Sequence, residues 1–320
     1  MFERILGMTL LIGSVCLAPV GASEFPAKPI RMLVTTTAGG PLDTFSRTIA
    51  AGMSQSLRQS VVVENLPGAG GNIAAQALAR AQPDGYTLLM AVDTTVTVNP
   101  SLYTGLPFDP RDDLVPISIL ATNEHTLIVH EKLPAATLAE LVGLSKQRPI
   151  SYSTAGVGSP AHLAMASLQQ VTGLRGIHVP YKGAVQSITD VAAGRVDASF
   201  VVTAGAMPHI TAKRVRPLAS SGHERSALLP EVPTVAELGY PGYEVAFAFV
   251  LFAPRNVPNQ TMQLLSAKAI EALRTPEAVE RLRSNDWRAA GLDPASSRSW
   301  LDRTRAHWKA VAEQADMRAD

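Results

Sequence analysis

The alternation of strand-like and helix-like segments constrains the fold of this chain more than any other feature. A buried-strand pattern, IRMLVTT at residues 30–36, precedes an amphipathic helix pattern at 42–57, in which Phe45, Ile49 and Met53 share one face. The strand patterns SVVVENL and YTLLMAV then flank the helix pattern NIAAQALARAQ. This rhythm is typical of a mainly parallel sheet covered by helices, so we predict an α/β fold.

The pattern continues through the middle of the chain and changes in the last third. Strand patterns HTLIVHE, ISYSTA, IHVPY and VDASFVV alternate with three helix patterns, and further helices are predicted at residues 259–274, 276–285 and 295–314. Two blocks of similar size predict two lobes, with the C-terminal helices docked back on the first lobe. Such a chain crosses between its lobes twice, as in hinged periplasmic binding proteins. The predicted boundaries are lobe 1 at residues 23–123 and 224–320, and lobe 2 at residues 124–223.

The first 22 residues have the features of a secretory signal peptide. Arg4 is followed by an apolar stretch at residues 5–17, and Pro19 precedes the small-residue pattern VGA. The alternative is a membrane anchor, but the apolar stretch is shorter than the roughly 20 residues that a membrane span needs. We therefore expect cleavage near Ala22 and export to the periplasm.

Composition excludes several classes of function. Hydrophobic residues make up 46% of the chain and charged residues 17%, which is enough apolar surface for a sizeable core. A net charge of +1 gives no electrostatic reason to expect nucleic acid or a membrane surface as a partner. The one cysteine, Cys16, lies in the predicted signal peptide, which excludes thiol catalysis and cysteine-ligated metals in the mature chain. The seven histidines lack metal-binding spacing, so we expect neither a metal nor a cofactor.

A glycine loop, TTTAGGPLD at residues 35–43, follows the first predicted strand; we call it loop one. A helix N-terminus at this point would offer about four unpaired backbone N–H groups and roughly half a positive charge, which suits an anion. Glycines let the backbone approach a ligand closely, and threonines add hydroxyl donors. Asp43 is predicted as the helix N-cap, with direct ligand contact as the alternative. The predicted ligand-binding residues of loop one are Thr36, Thr37, Gly39, Gly40 and Asp43.

A second loop, STAGVGSPAH at residues 153–162, again joins a strand to a helix; we call it loop two. Ser159 is predicted as the N-cap before Pro160. The segment GVGSPA lacks the last glycine of the hydrolase motif G-x-S-x-G, so a nucleophilic serine is not expected. Two such loops facing each other would form an anion trap without a fixed cation, well suited to a carboxylate. The predicted ligand-binding residues of loop two are Thr154, Ala155, Gly156, Gly158 and Ser159.

Four other residues near predicted strand ends are candidates, each with a plainer alternative. Thr94 follows the third strand and can line the cleft. His162 is either near the ligand or packed within its own lobe. Tyr181 and Lys182 end a strand, and Lys182 either attracts an anion or is a solvated surface lysine.

Catalysis would need an acid, a base or a nucleophile that converge on one point. The strand ends carry hydroxyls and glycine amides, without a base placed reliably beside them. A pairing of Ser153 with His178 stays open at this stage. We expect that the protein is not an enzyme.

Read in order, these stretches resemble the solute-binding proteins of tripartite tricarboxylate transporters, also called the Bug family. AGGPLDTFSR, VVVENLPGAGGNIAA and AQPDGYTLL match the first lobe, and NPSLYTGLPFDPRDDLVPIS matches the bridge to the second. STAGVGSPAHL, HVPYKGA and GRVDASF follow in the second lobe. LPEVPTVAELGYPGYE and LFAPRNVP lead to the C-terminal helices. The resemblance covers nearly the whole mature chain.

The resemblance implies a type II periplasmic binding protein, a two-lobed α/β Venus flytrap with a mixed sheet in each lobe and a hinged cleft. It implies capture of a small carboxylate, either an organic acid or an amino-acid-like molecule, and delivery to the membrane permease subunits of a tripartite transporter. We expect a monomer. Family members grip one carboxylate between two loops, which correspond here to residues 36–40 with Asp43 and to residues 154–159. His162 and residues 181–183 match positions near the cleft.

The chain departs from the family pattern at several positions near the expected pocket or hinge. Thr35 and Thr36 stand where relatives often carry apolar residues or proline, and Ser46 replaces a common alanine. Phe247 and Phe249 stand where tryptophan followed by glycine is frequent. The extra hydroxyls favour a more polar ligand. Two other interpretations stay open, namely a ligand-sensing subunit of a signalling system and a periplasmic enzyme that acts on a carboxylic acid.

Overall fold

The structure is a computed structural model, and it describes residues 25–319. The predicted signal peptide, with Cys16, lies outside the described residues. Among residues 25–319, every helix is too short or too polar to span a bilayer.

Ten strands of the described chain form one mixed sheet. They are β1 (Ile30–Val34), β2 (Val61–Asn65), β3 (Thr87–Val92), β4 (Leu114–His130), β5 (Ile150–Thr154), β6 (Gly176–Pro180), β7 (Ala198–Val202), β8 (Val215–Ser220), β9 (Ala246–Pro254) and β10 (Trp287–Ala289). The order is β2-β1-β3-β9-β4-β7-β5-β6, and β8 and β10 also pair with β4.

Helices follow most of the strands, as the alternating pattern predicts. They are α1 (Pro41–Leu57), α2 (Asn72–Ala79), α3 (Thr94–Thr97), α4 (Asn99–Leu102), α5 (Leu138–Gln147), α6 (Pro160–Thr172), α7 (Ala184–Ala192), α8 (Thr203–Thr211), α9 (Asn259–Ala272), α10 (Pro276–Asn285) and α11 (Pro294–Gln314). The three helices predicted near the C-terminus correspond to α9, α10 and α11.

The long strand β4 joins two parts of the sheet. From Leu114 to Glu124 it pairs antiparallel with β9, and from His125 onward it pairs with β7 and β8. We call β1, β2, β3, β9 and β10 the first subsheet, and β5, β6, β7 and β8 the second. The change of partners between Glu124 and His125 marks the junction of the two subsheets.

Register brings the carboxyl ends of six strands to this junction. Along the first subsheet, Val92 at the end of β3 lies level with Phe249 of β9, which in turn lies level with Ala121 of β4. In the second subsheet, Val202 at the end of β7 lies level with His125. Strands β1 and β2 run parallel to β3, and β5 and β6 run parallel to β7. The loops that follow these six strands therefore open toward the junction from both sides.

Helix α11 packs against both parts of the molecule. Leu301, in its first half, belongs to a buried cluster with Leu33 and other residues of the first subsheet. Trp308, in its second half, belongs to a cluster with Leu163 of α6. The Trp308 indole also stacks on Phe247 with 5.6 Å between ring centroids. The C-terminal helix thus crosses the junction instead of covering one subsheet alone.

The sequence patterns do not predict the first half of β4 or helix α8, because prolines and a glycine interrupt the periodicity in both segments. The sequence pattern predicts a strand only at residues 125–131, whereas β4 already begins at Leu114. Pro116 lacks a backbone donor, and the pairing register shifts between Pro116 and Ser118 to accommodate it. Helix α8 contains Gly205 and Pro208, both poor helix formers. Tertiary packing overrides local preference in both places.

Ser221 fastens together the two chain segments that cross the junction. Its backbone N–H donates to the His125 carbonyl, and its Oγ accepts from the His125 N–H, both at 2.8 Å. The same Oγ donates to the Val245 carbonyl at 2.7 Å, and the Val245 N–H donates to the Ser221 carbonyl at 2.8 Å. Ser221 is fully buried. Four hydrogen bonds without access to water hold the crossing segments in register.

We predict that Ser221→Ala lowers the free energy of unfolding by about 1–3 kcal/mol, because the buried His125 N–H loses its acceptor. Urea unfolding measures this change. The matched control is Ser284→Ala on α10, where an exposed hydroxyl makes two long hydrogen bonds, one to the Arg281 carbonyl and one from Asn285 Nδ2, both at 3.3 Å. Equal losses in the two variants would contradict the role assigned to Ser221.

Candidate functional site

Loop one is held in shape by the Asp43 carboxylate. Oδ2 accepts from the Gly39 N–H at 2.8 Å, and Oδ1 accepts from Asn65 Nδ2 at 2.8 Å and pairs with Arg47 Nη2 at 3.0 Å. Asp43 is buried, with 2% of its surface exposed. Asn65 Nδ2 also donates to the Thr36 carbonyl at 2.9 Å. Protein donors thus occupy both oxygens of Asp43, and the network closes the loop on itself.

The expectation that Asp43 is the N-cap of α1 is wrong. The N-cap is Gly40, which has extended backbone and no side chain to cap with, and Pro41 follows at the first helical position. Asp43 sits in the first turn and reaches back to the Gly39 N–H, outside the helix. A carboxylate in the first turn still interacts favourably with the helix dipole.

The electrostatic state of Asp43 reflects two opposing effects. Burial alone would raise its pKa, but the hydrogen bonds from Arg47, Gly39 and Asn65, together with the charge of Arg47, outweigh burial and hold the pKa below its usual range. Asp43 is therefore ionised at neutral pH, and its charge is balanced by Arg47.

Loop one leaves several donors open. Within residues 25–319, no protein acceptor is paired with the backbone N–H groups of Thr36, Thr37 and Gly40. The Thr36 Oγ1 is buried and likewise lacks a hydrogen-bond partner among the described residues. These groups are available to an anion or to ordered water.

Loop two is built on the Thr154 hydroxyl and on Ser159. The Gly156 N–H donates to Thr154 Oγ1 at 3.1 Å, and Ser159 Oγ donates to the Gly156 carbonyl at 2.7 Å. Ser159 is the N-cap of α6 and Pro160 follows it, as predicted, although the Ser159 side chain bonds to the loop instead of to the helix. Gly156 and Gly158 both have positive φ, which the tight turn of this loop requires.

His162 and His178 form a stacked pair behind loop two. Their ring centroids are 3.8 Å apart, with an angle of 15° between the planes. His162 Nδ1 accepts from the Gly158 N–H at 3.2 Å, and His178 Nε2 bonds to Thr154 Oγ1 at 2.7 Å. The predicted packing role of His162 thus includes a direct contact with loop two.

Helices α3 and α4 lie between the two loops. On one side, a Cβ at Gly71 would lie 2.8 Å from Thr95 Oγ1 of α3 and 3.0 Å from the side chain of Thr35 in loop one, so Gly71 packs between α3 and loop one. On the other side, Gly158 packs so closely on Leu102 that a Cβ there would overlap the leucine methyl group. The two loops therefore flank one short helical segment and lie on the same side of the molecule.

The end of β3 carries a buried, partly satisfied carboxyl group beside Thr94. The Asp93 N–H donates to the Ala248 carbonyl and Asp93 Oδ1 accepts from the Ala248 N–H, both at 2.9 Å. Oδ2 lacks a partner among the described residues. Burial raises the pKa of Asp93 to about 7. Thr94 is buried in the first turn of α3.

Tyr181 and Lys182 lie at the end of β6, next to loop two. The Tyr181 N–H donates to the Thr154 carbonyl at 3.0 Å, and its hydroxyl donates to Asp190 at 2.7 Å. Lys182 is exposed. Tyr181 thus braces loop two, and Lys182 places an exposed positive charge next to it.

Sequence reasoning missed the N-terminus of α8, which follows β7 at the junction. Thr203 opens this helix, and its Oγ1 lies 2.9 Å from Thr126 Oγ1 of β4, with both residues buried. The signal was weak because the segment VVTAGAMPH contains helix breakers. With α8, helices α1, α2, α3, α6, α7 and α8 all begin near the carboxyl end of a strand that points to the junction. Their partial positive charges favour an anion there.

The departures from the family pattern serve mostly internal packing. Ser46 Oγ donates to the Leu42 carbonyl at 2.6 Å within α1. Phe249 packs against Phe45 with ring centroids 5.2 Å apart, and Phe247 stacks on Trp308. Thr36 is the departure that leaves a buried hydroxyl unpaired among the described residues.

The open pairing of Ser153 with His178 is wrong. Ser153 is fully buried, its Oγ accepts from Ser187 Oγ at 2.7 Å, and His178 bonds to Thr154 instead. In the described part of the chain, no group of three or more His, Asp or Glu side chains could hold a metal ion.

A sequence model described as the tripartite tricarboxylate transporter family receptor matches residues 45–317. The chain belongs to this family. The resemblance inferred from the motifs is therefore confirmed.

Three solved structures are similar to this chain over about nine-tenths of its length. A Rhodopseudomonas palustris protein, Rpa4515 with adipate, has a TM-score of 0.84 and 31% identity, covering 92% of this chain and 100% of its own. The periplasmic binding protein BugD has a TM-score of 0.80 and 29% identity, with coverage of 92% and 100%. MatC from Rhodopseudomonas palustris with bound malate has a TM-score of 0.80 and 27% identity, with coverage of 90% and 99%.

These neighbours confirm the predicted fold class, a two-lobed α/β periplasmic binding protein. BugD is a periplasmic binding protein, and the family model describes a transporter receptor and not an enzyme. The family consists of periplasmic receptors that belong to tripartite transporters. The exact lobe boundaries and the ligand-contacting residues stay predictions.

We predict that Asp43→Asn lowers the free energy of unfolding by about 1–3 kcal/mol at pH 7, because the buried network loses its charged acceptor. The folded-state pKa is depressed, so this stability is present above the unfolded pKa of about 3.9 and is lost as pH falls through the folded pKa. The difference in the free energy of unfolding between wild type and variant should therefore become smaller below about pH 4.

Urea unfolding at pH 7 and pH 3 measures both values. The control is Asp112→Asn, an exposed carboxyl group, which should change stability at pH 7 by less than about 0.5 kcal/mol. A gap of the same size at both pH values would contradict the proposed charge balance.

Proposed function

We propose that this protein captures a small carboxylate between loop one and loop two and delivers it to the permease subunits of a tripartite transporter. The observation that carries the proposal is the convergence of strand ends and helix N-termini on one junction. The adipate and malate held by two structural neighbours support a carboxylate as the ligand class.

Backbone amides are the proposed recognition groups. Loop one offers the N–H groups of Thr36, Thr37 and Gly40, and loop two offers those of Ala155 and Val157, which have no acceptor within residues 25–319. A carboxylate has about four lone-pair sites and can accept from both loops at once. Hydrogen bonds to an ionised acceptor contribute about 1.5–3 kcal/mol each, so a few of them give useful affinity.

We assign three different roles to six of the predicted contact residues. The groups with open donors, Thr36, Thr37, Gly40 and Ala155, are proposed to touch the ligand or an ordered water. Asp43 is proposed to act from behind, because protein donors already occupy its oxygens. Lys182 is exposed and is proposed to draw the anion toward the cleft without holding it.

The cellular role follows from the family. We propose export by cleavage of the predicted signal peptide near Ala22, a monomeric mature protein, and docking to membrane permease subunits.

A thermal-shift screen of organic acids tests the ligand class. We expect adipate, malate or a related acid to raise the melting temperature by several degrees, because binding adds about 2.7 kcal/mol when the ligand is at 100 times its Kd. Adipamide, which has the shape of adipate without its charge, is the matched control and should have no effect. Thr36→Val should weaken binding of the best acid, because valine lacks the hydroxyl that has no protein partner within residues 25–319 and is proposed to bond to the ligand. Stabilisation by adipamide equal to that by adipate would contradict the proposal.

We predict that Gly158→Ala weakens carboxylate binding at least tenfold, because the new methyl group overlaps Leu102 and displaces loop two. Calorimetric titration of the best acid measures the change. Gly173→Ala on the same lobe is the control, since its φ of +68° resembles the +71° of Gly158 but no atom lies within 4 Å of the new Cβ. Both variants carry the same backbone strain, so only the steric effect separates them. Equal affinity in the two variants would contradict the role of this contact.

A further inference from the structure

Loop two has already committed three of its backbone donors. The Gly156 N–H donates to Thr154 Oγ1, the Gly158 N–H to His162 Nδ1, and the Ser159 N–H to the Gly156 carbonyl. Among the described residues, the N–H groups of Ala155 and Val157 are left without an acceptor. The two open donors alternate with the committed ones along the loop. The residues that accept from the loop therefore decide which donors face outward.

The contact with Gly158 assigns the tautomer of His162. Because the Gly158 N–H donates to Nδ1, this nitrogen carries no proton and the proton of a neutral ring lies on Nε2. A ring protonated on both nitrogens would turn two N–H groups toward each other. Loop two in this shape requires a neutral His162.

Thr154 Oγ1 links loop two to His178. This oxygen accepts from the Gly156 N–H and lies within hydrogen-bond distance of the Gly156 carbonyl, both at 3.1 Å. His178 Nε2 bonds to the same oxygen across 2.7 Å, and the tautomer of His178 decides which of the two atoms donates. The hydroxyl thus lies within hydrogen-bond distance of three protein groups.

The two rings support each other as a neutral stack. Tyr152 stacks on His178 with 5.3 Å between centroids, and His178 stacks on His162 at 3.8 Å. Burial, with a smaller effect from His178, lowers the pKa of His162 to about 3, and burial lowers the pKa of His178 to about 4. Both rings are therefore uncharged at neutral pH, and their contact carries no repulsion.

We propose that His162 and His178 are positioning residues, which hold loop two in the one arrangement that leaves the Ala155 and Val157 amides open to the carboxylate. The proposal rests on the proposed function of loop two. The imidazoles do not touch the ligand. His162 accepts from the Gly158 N–H, and His178 holds the Thr154 hydroxyl that accepts from the Gly156 N–H. Together they fix the direction of the two free amides.

Two pairs of variants separate positioning from packing. His162→Phe keeps the ring and its stack but removes the Gly158 acceptor, whereas His162→Asn removes the stack and returns an acceptor oxygen near the Nδ1 position. His178→Phe removes the hydrogen-bond partner of Thr154 Oγ1, whereas His178→Gln returns an amide group near Nε2 that can bond to that oxygen. His209→Phe, on α8, is a control for histidine replacement elsewhere in the same half of the molecule.

Calorimetry with adipate or malate, whichever stabilises the wild type more, gives the first measurement. We expect both Phe variants to bind at least tenfold more weakly, and the Asn and Gln variants to stay within about threefold of wild type. Thermal unfolding in the absence of ligand reports whether each variant folds. Phe variants that fold and bind as tightly as wild type would overturn the proposal.

Amide hydrogen exchange of Gly158 gives a second measurement that needs no ligand. We expect exchange at least tenfold faster in His162→Phe than in wild type, and recovery in His162→Asn. Unchanged Gly158 exchange in His162→Phe would overturn the proposal even where no acid binds. Failure of the wild type to bind any acid, with the exchange result as expected, would instead count against the proposed function alone.

Discussion

The shared strand β4 is the constraint on which the rest of the structure depends. Since β3 runs parallel to it on one side of the junction and β7 runs antiparallel on the other, the carboxyl ends of both sets of strands meet between Glu124 and His125. Each strand end is followed by a helix N-terminus with unpaired amides. Reversal of either subsheet would turn half of these amides away. The anion-attracting character of the junction is thus a property of topology, and individual side chains only refine it.

The two loops solve one problem with different chemistry. A flexible glycine loop must be ordered before it can present amides to a ligand, and the cost of ordering is conformational entropy. In loop one the Asp43 carboxylate accepts from the Gly39 N–H, Asn65 donates a further hydrogen bond to it, and Arg47 balances its charge. In loop two the neutral His162 ring takes the Gly158 N–H. Both sets of contacts order the loop before the ligand arrives. Binding then costs less conformational entropy.

The sequence predicted what depends on local pattern and failed where packing decides. The strand–helix rhythm, the N-cap Ser159 and the two glycine loops follow from periodicity and turn chemistry, which are local. The first half of β4 was missed because Pro116 breaks the pattern and a bulge accommodates it. Asp43 was misjudged because its partner Asn65 comes from another strand, and sequence separation hides such contacts. The His162–His178 stack was missed for the same reason, because β6 and α6 bring the two rings together only in the folded chain.

A cleft that recognises charge through amides differs physically from one that uses a buried arginine. Burying a cation costs desolvation, and that cost returns each time the ligand leaves. Here the nearby Arg47 is already paired with Asp43, and Lys182 stays in water. Backbone dipoles carry no net charge, so a cleft lined by amides avoids the desolvation cost of a buried cation. In the proposed cleft, neutral groups would contact the far end of the ligand, and the Thr36 hydroxyl, which has no partner within residues 25–319, is the first candidate. We propose that charge selects the class of ligand and that the hydroxyls of loop one select within that class.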